Sequence, residues 1–214
     1  MATTDAINAV CNGIVHILRA AMAEQINDLG FNDIEPTFAV YQPSDFANPD
    51  SNGNTNGRIT SGASVFLYRA LPNLSHRTPS GALLPDGRRR YSSLPLDLYL
   101  LITIWGESAS TQNRLVGWVM RTLEDYPLIP ASVLNLEENG SVFEESEAVE
   151  LLLSEMNGEE LLQLWDTLGN GELHYQITIP YLVRNLLLAS RQIRGVDEPV
   201  QVRTADMQRL EVTP

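Results

Sequence analysis

The chain has 214 residues, 43% of them apolar, with 14 basic and 27 acidic side chains and a net charge of −13. That length suits one large domain or two small ones. The acidic balance argues against general nucleic-acid binding, which needs a basic footprint, and the single cysteine, Cys11, excludes an internal disulfide or a cysteine-cage metal site.

Residues 4–29 form the first predicted helix, with Ile7, Cys11, Ile14, Leu18 and Met22 on one stripe at three- and four-residue steps. Thr3 or Thr4 is the expected cap and Gly30 the expected stop. Cys11 falls on the apolar stripe and reads as a buried, inert thiol. His16 reads as a polar-flank residue, since no second metal ligand stands at a suitable spacing. The N-terminal stretch lacks a basic n-region, so no secretory signal is expected and the cytoplasm is the expected site of assembly. No apolar run reaches the ~18 residues a membrane span needs.

Residues 36–42 predict a short strand, followed by the Asn- and Gly-rich loop "PSDFANPDSNGNTNGRITSG". That loop is not a calcium loop, because Thr55 and Ser61 stand where the template needs glycine and glutamate. Residues 63–70 predict a strand. Residues 71–93 predict a long loop carrying Arg88, Arg89 and Arg90, read as a solvated tip or a patch facing an acidic partner.

"LPLDLYLLITIW" at 94–105 is the strongest strand signal, with Leu96, Leu98, Leu100, Ile102 and Ile104 on one face. Its other face is also largely apolar, so the strand is expected to be central and covered on both sides. Asp97 then needs a partner, and Arg69 or Arg77 is the nearest candidate by sequence.

A second helix is predicted over 111–126, with Leu115, Trp118 or Val119, Thr122 and Tyr126 inward and Pro127 as its stop. Strand 149–153 and a helix opened by Asn157 with Glu160, carrying Leu161, Leu164, Trp165 and Leu168 inward, follow. "ELHYQITI" at 172–179 alternates as a strand, which places His174 on a polar face. Residues 181–195 fit a helix or more strand. The segment after 196 is polar, with two alternating fragments, "PVQVR" and "RLEVT".

Chemistry is sparse. There is no G-x-S-x-G, HExxH, Walker or Rossmann pattern. The acidic clusters fall in loops or helix starts, where solvated faces are the default. No catalytic residue, cofactor site or metal site is assigned. The expected fold class is α/β: a single domain with a mixed, partly antiparallel sheet flanked by helices.

Four segments in order carry a family resemblance. "SVFLYRALPNLSHR" resembles a strand-then-elbow signature, and "RYSSLPLDLYLLITIWG" resembles the strand that follows it. "NRLVGWVMRTLEDYPLIP" resembles a helix with a leucine–glycine pair and a terminal proline, and "MNGEELLQLWDTLGNGELHYQITIPYLV" resembles a helix-to-strand ending. Together they resemble the cap, or tail-terminator, proteins of contractile injection systems, and with the N-terminal helix the resemblance covers about residues 1–185.

The resemblance implies a phage tail-terminator-like fold over 1–190 and a tail, 191–214, with strand-forming potential. It implies a structural assembly protein and not an enzyme. Such a protein forms a homohexameric ring on the last inner-tube and sheath rings, ends tube growth and anchors the sheath. No nucleic acid, cofactor or direct membrane insertion is implied, and the finished phage-tail-like particle is either released or anchored. Asn73, Arg77, Asp97, Gly117 and Trp165 are the family-motif positions, expected to be structural. The expected interface residues are Arg88, Arg89 and Arg90 in the loop and Val200, Val202, Leu210 and Val212 in the tail, whose strands would pair by backbone. The alternatives weighed are an adaptor joining the particle to membrane or cargo, and a small carboxylate-based enzyme.

Overall fold

A computed structural model describes residues 2–27, 35–46, 59–76, 81, 83–136, 141–169 and 175–194. Its first element, helix α1 (Ala6–Gln25), buries Cys11, Ile14, Leu18 and Met22 along the predicted stripe. At its start the Ala6 amide donates to the Thr3 carbonyl at 3.2 Å, and among the described residues Thr3 Oγ1 accepts the Asp5 amide, at 3.4 Å. The N-cap position is therefore Asp5, which makes no side-chain cap bond, and not a threonine. By length and composition α1 is apolar enough to cross a membrane, yet 61% of its most apolar window is buried within the fold. An apolar stripe laid on a sheet passes the same test as a membrane span.

Strand β1 (Thr37–Tyr41) leads through a 3₁₀ turn (Pro43–Phe46) toward β2 (Gly62–Pro72), which ends in a second 3₁₀ turn (Leu74–His76). Next come the two-residue β3 (Arg89–Arg90), the long β4 (Leu94–Trp105) and helix α2 (Ala109–Asp125). The short β5 (Leu128–Pro130) and α3 (Ala131–Leu134) precede β6 (Ala148–Leu153), α4 (Gly158–Gly169), β7 (Thr178–Leu188) and β8 (Ile193–Arg194).

Six strands form one sheet in the order β1-β2-β4-β7-β6-β5. β1 runs parallel to β2 and every other neighbour is antiparallel. Gly62, with φ +138°, admits the close approach of β1, because a Cβ there would lie 1.9 Å from the Thr37 carbonyl oxygen. β3 and β8 pair separately as a small antiparallel ribbon.

The sheet separates two apolar clusters. Leu96, Leu98, Leu100, Ile102 and Ile104 face the larger one, with α1, α2, α3 and the buried Val142 and Phe143. Leu101 and Trp105 face the smaller one, with Tyr41, Phe46, Phe66 and Trp165. β4 is thus covered on both faces, as its double apolar pattern requires. Each indole N–H finds an acceptor: Trp105 on Ser64 Oγ at 2.9 Å, Trp165 on Thr178 Oγ1 at 3.1 Å and Trp118 on Gln25 Oε1 at 3.0 Å.

Several expectations need correction. Tyr126 is 48% exposed and does not join the core, because α2 ends at Asp125 and the chain turns at Pro127. Trp118 and Val119 are both buried. The ambiguous 181–195 stretch is strand to Leu188, since β7 is hydrogen-bonded between β4 and β6. β7 begins only at Thr178, and that threonine, expected on a polar face, is buried against Thr103 at 3.2 Å. Asn157 Oδ1 accepts the Glu159 amide at 3.2 Å to open α4, without a reciprocal bond from Glu160 among the described residues. His174 lies outside the described residues.

Candidate functional site

The strand-end elbow is built around one side-chain amide. β2 ends at Pro72, and the next residue, Asn73, donates its backbone N–H to the Pro95 carbonyl at 2.9 Å. Its side-chain Oδ1 accepts the Ser75 amide at 3.1 Å, which bends the chain into the 3₁₀ turn. Its Nδ2 donates to both carboxylate oxygens of Asp97, at 3.2 and 3.1 Å, and to Asn185 Oδ1 at 3.1 Å.

Asp97 also accepts the Asn185 backbone N–H at 3.1 Å. That bond exists because β7 bulges: Leu96 pairs with Leu186 while Leu98 pairs with Val183. Asn185 sits in the bulge at φ +56°, a left-handed conformation that asparagine tolerates better than most residues. One carboxylate thereby ties β2, β4 and β7 together where the strands end.

This corrects the expected Arg69–Asp97 pairing. The Arg69 guanidinium lies over the Tyr99 ring, 5.5 Å from its centroid. β2 bulges between Leu67 and Arg69, which seats Arg69 opposite Tyr99. Arg77 lies outside the described residues. Sequence reading missed Asn185; its only signal was an asparagine in the apolar run "LVRNLLL".

The arginine tip is more ordered than a solvated loop. Arg88 is held by Asp86, Nε to Oδ2 at 2.6 Å, and that hydrogen bond lowers the Asp86 pKa below the usual carboxylate value. Arg89 and Arg90 form β3, paired with Arg194 and Ile193 of β8. Leu83 bridges to Arg89, and the Tyr91 amide donates to the Gln192 carbonyl at 3.2 Å. The segment drawn as the start of a tail, from 191, therefore returns to the tip. Val200, Val202, Leu210 and Val212 lie outside the described residues.

At the opposite side of the sheet, β1 is an edge strand. The Thr37 amide points inward to the Ser61 carbonyl at 2.8 Å, so the Phe38 and Val40 backbones point outward. Arg19 of α1 donates Nη2 to the outward Phe38 carbonyl at 2.7 Å. Between α1 and this edge runs a groove of about 340 Å³, lined by Arg19, Met22, Ile26, Glu35, Pro36 and Phe38.

The remaining motif positions, Trp165 and Gly117, lie in contrasting surroundings. Trp165 is buried and meets Phe46 edge-on, with ring centroids 5.8 Å apart. Gly117 is an exposed position in α2, and a Cβ there would meet nothing within 4 Å. Cys11 is buried, and burial pushes its thiol up to about 11. Among the described residues no group of three His, Cys, Asp or Glu side chains is placed to hold a metal ion.

A mixed sheet with helices on both faces is the fold this chain shares with solved structures of contractile-injection-system terminators. The chain belongs to the Pvc16 N-terminal domain family, which it matches over residues 9–202. That span runs beyond the four motifs and takes in β8.

One similar structure is the sheath/tube terminator of an extracellular contractile injection system, PVC, in its extended state. The TM-score is 0.55 at 15% identity, over 95% of this chain and 63% of that one. A second is the tube-terminating cap of the anti-feeding prophage, with a TM-score of 0.50 at 16% identity over 88% of this chain and 61% of that one. The chain thus spans less than two thirds of the length of either structure. No curated protein matches its sequence.

Proposed function

We propose that this chain is a structural subunit that terminates a contractile injection particle. It seats on the last inner-tube ring, stops growth there and anchors the last sheath ring. The subunits act as a sixfold ring, assembled in the cytoplasm, by shape and backbone pairing with no covalent chemistry. The observation that carries this reading is the family match over 9–202 on a fold shared with two terminators. The outward backbone of β1 supports it further. An extended arm from a sheath subunit can add there as a strand, with its side chains entering the groove beside α1.

The test is deletion of the gene followed by measurement of particle length in electron micrographs. The expected result is tubes of irregular, extended length with detached sheaths. Particles of normal, uniform length with sheath in place would overturn the reading.

A further inference from the structure

The ring reading leaves open which surfaces of neighbouring subunits meet, and the charge distribution bears on that question. The β3–β8 ribbon end exposes apolar side chains beside arginines. Leu74 is 73% and Leu83 64% exposed, and Tyr91 and Ile193 are exposed as well. Leu83, Tyr91 and Ile193 lie in or beside the ribbon with Arg89, itself exposed, and the half-buried Arg90, while Leu74 lies in the turn that follows β2. Asp86 is engaged by Arg88 beside the ribbon, and Asp97 by Asn73 in the elbow. Glu144, whose carboxyl the chain's amino group chiefly holds below its usual value, also feels the Arg90 charge. On a chain of net charge −13 this end is a local cationic, apolar surface.

The outer face of α4 has the complementary character. Its inner face is spent on Leu161, Leu164, Trp165 and Leu168. Glu159, Leu162 and Asp166, at steps of three and four, occupy the opposite face and are exposed, Leu162 at 59%. Glu155 and the exposed Leu153 lead into it. Among the described residues neither Arg89, Glu155, Glu159 nor Asp166 makes an ion pair.

We infer that these two surfaces are the two halves of one subunit–subunit interface: the arginine end of one copy seats on the outer face of α4 of the next. The inference rests on the ring reading above. Each patch combines apolar side chains with one predominant charge, arginine on one and carboxylate on the other, so like patches repel and unlike patches attract. The two patches differ, so the contact is head-to-tail, the kind that repeats until a ring closes. Arginine, which stands at all 14 Lys/Arg positions of this chain, suits the role because its planar, weakly hydrated fork pairs with carboxylates in a partly dry contact.

Charge exchange in the full chain tests it. Variant one is Arg89→Glu with Arg90→Glu; variant two is Glu155→Arg with Glu159→Arg. Sedimentation velocity in low salt, up to several hundred micromolar, should show wild-type self-association that weakens with added salt. Each variant alone should associate about 100-fold more weakly, since like charges then face each other. An equimolar mixture should recover wild-type association, because each altered patch meets its opposite on the other variant.

A wild type that stays monomeric, variants that associate normally, or a mixture that does not recover would each overturn the inference. So would loss of association on removing 195–214 alone, which would make that segment the occupant of the arginine end. Circular dichroism of both variants guards against misfolding, and recovery on mixing itself requires folded chains. Variants that still give particles of normal length sink this interface and leave the terminator reading intact; normal particles without the gene sink the terminator reading.

Discussion

Asn73 Nδ2 donates to both carboxylate oxygens of Asp97, at 3.2 and 3.1 Å, across the ends of β2 and β4. Replacing Asn73 by Ala removes these bonds and leaves Asp97 with the Asn185 amide. The expected loss of stability is about 1–3 kcal/mol, the range for a partly buried polar group left short of donors. Thermal melting should fall by about 2–4 °C per kcal/mol at this chain length. Arg69→Ala, which removes only a contact with Tyr99, should cost no more than about 1 kcal/mol. Equal losses from both variants would show that Arg69 does support Asp97.

Cys11 gives a pH signature. Its thiol is raised from 9.0 to about 11 by burial, so the native state holds a proton that the unfolded state releases first. Stability contributed by the neutral thiol is intact below pH 9 and drains away as pH rises from 9 toward 11. Across that window the loss is on the order of 3 kcal/mol. Urea unfolding at pH 8 and pH 10.5 should show this slope in the wild type and lose it in Cys11→Val. Native protein should also resist a thiol-alkylating reagent at pH 8 and react once unfolded.

Gly117 lies in the middle of α2 with open space where a side chain would go. Gly117→Ala should therefore stabilise the isolated chain by about 0.5–1 kcal/mol, the intrinsic helix difference. A denaturant midpoint checks this. If the substitution stabilises the chain but impairs particle assembly, a neighbour's surface approaches the glycine there.

The outward N–H of Val40 is the expected docking donor for an added strand. Val40→Pro removes it while leaving the ladder to β2 intact, since proline is tolerated on a sheet edge. The expected outcome is a folded chain with normal melting that attaches sheath poorly, scored as fewer sheathed particles by electron microscopy. Val202→Pro makes the parallel test for the tail. Sheath loss in Val202→Pro with normal particles in Val40→Pro would move the docking strand from the sheet edge to the tail.

The periodic elements were legible without coordinates. β4 runs from Leu94 to Trp105 as predicted, and α1, α2 and α4 turn their predicted stripes toward the core, Tyr126 excepted, because each pattern is local and repeats at the period of its own backbone. Legibility stopped where a residue's state depends on a distant neighbour. Thr178 reads as polar yet is buried, because Trp165 and Thr103 supply its hydrogen bonds. Residues 181–188 read either way until two flanking strands claimed their backbone.

The sequence alone determined the class of this protein: an α/β chain, short of catalytic patterning, with four segments in the order of a terminator family. Tertiary structure decided who partners Asp97, that β1 is an edge strand, and that Arg89 and Arg90 stand in a ribbon closed by Ile193 and Arg194. The physical reason is range. Periodicity records burial within a turn or a strand, whereas Asn73 meets Asn185 across 112 residues of chain.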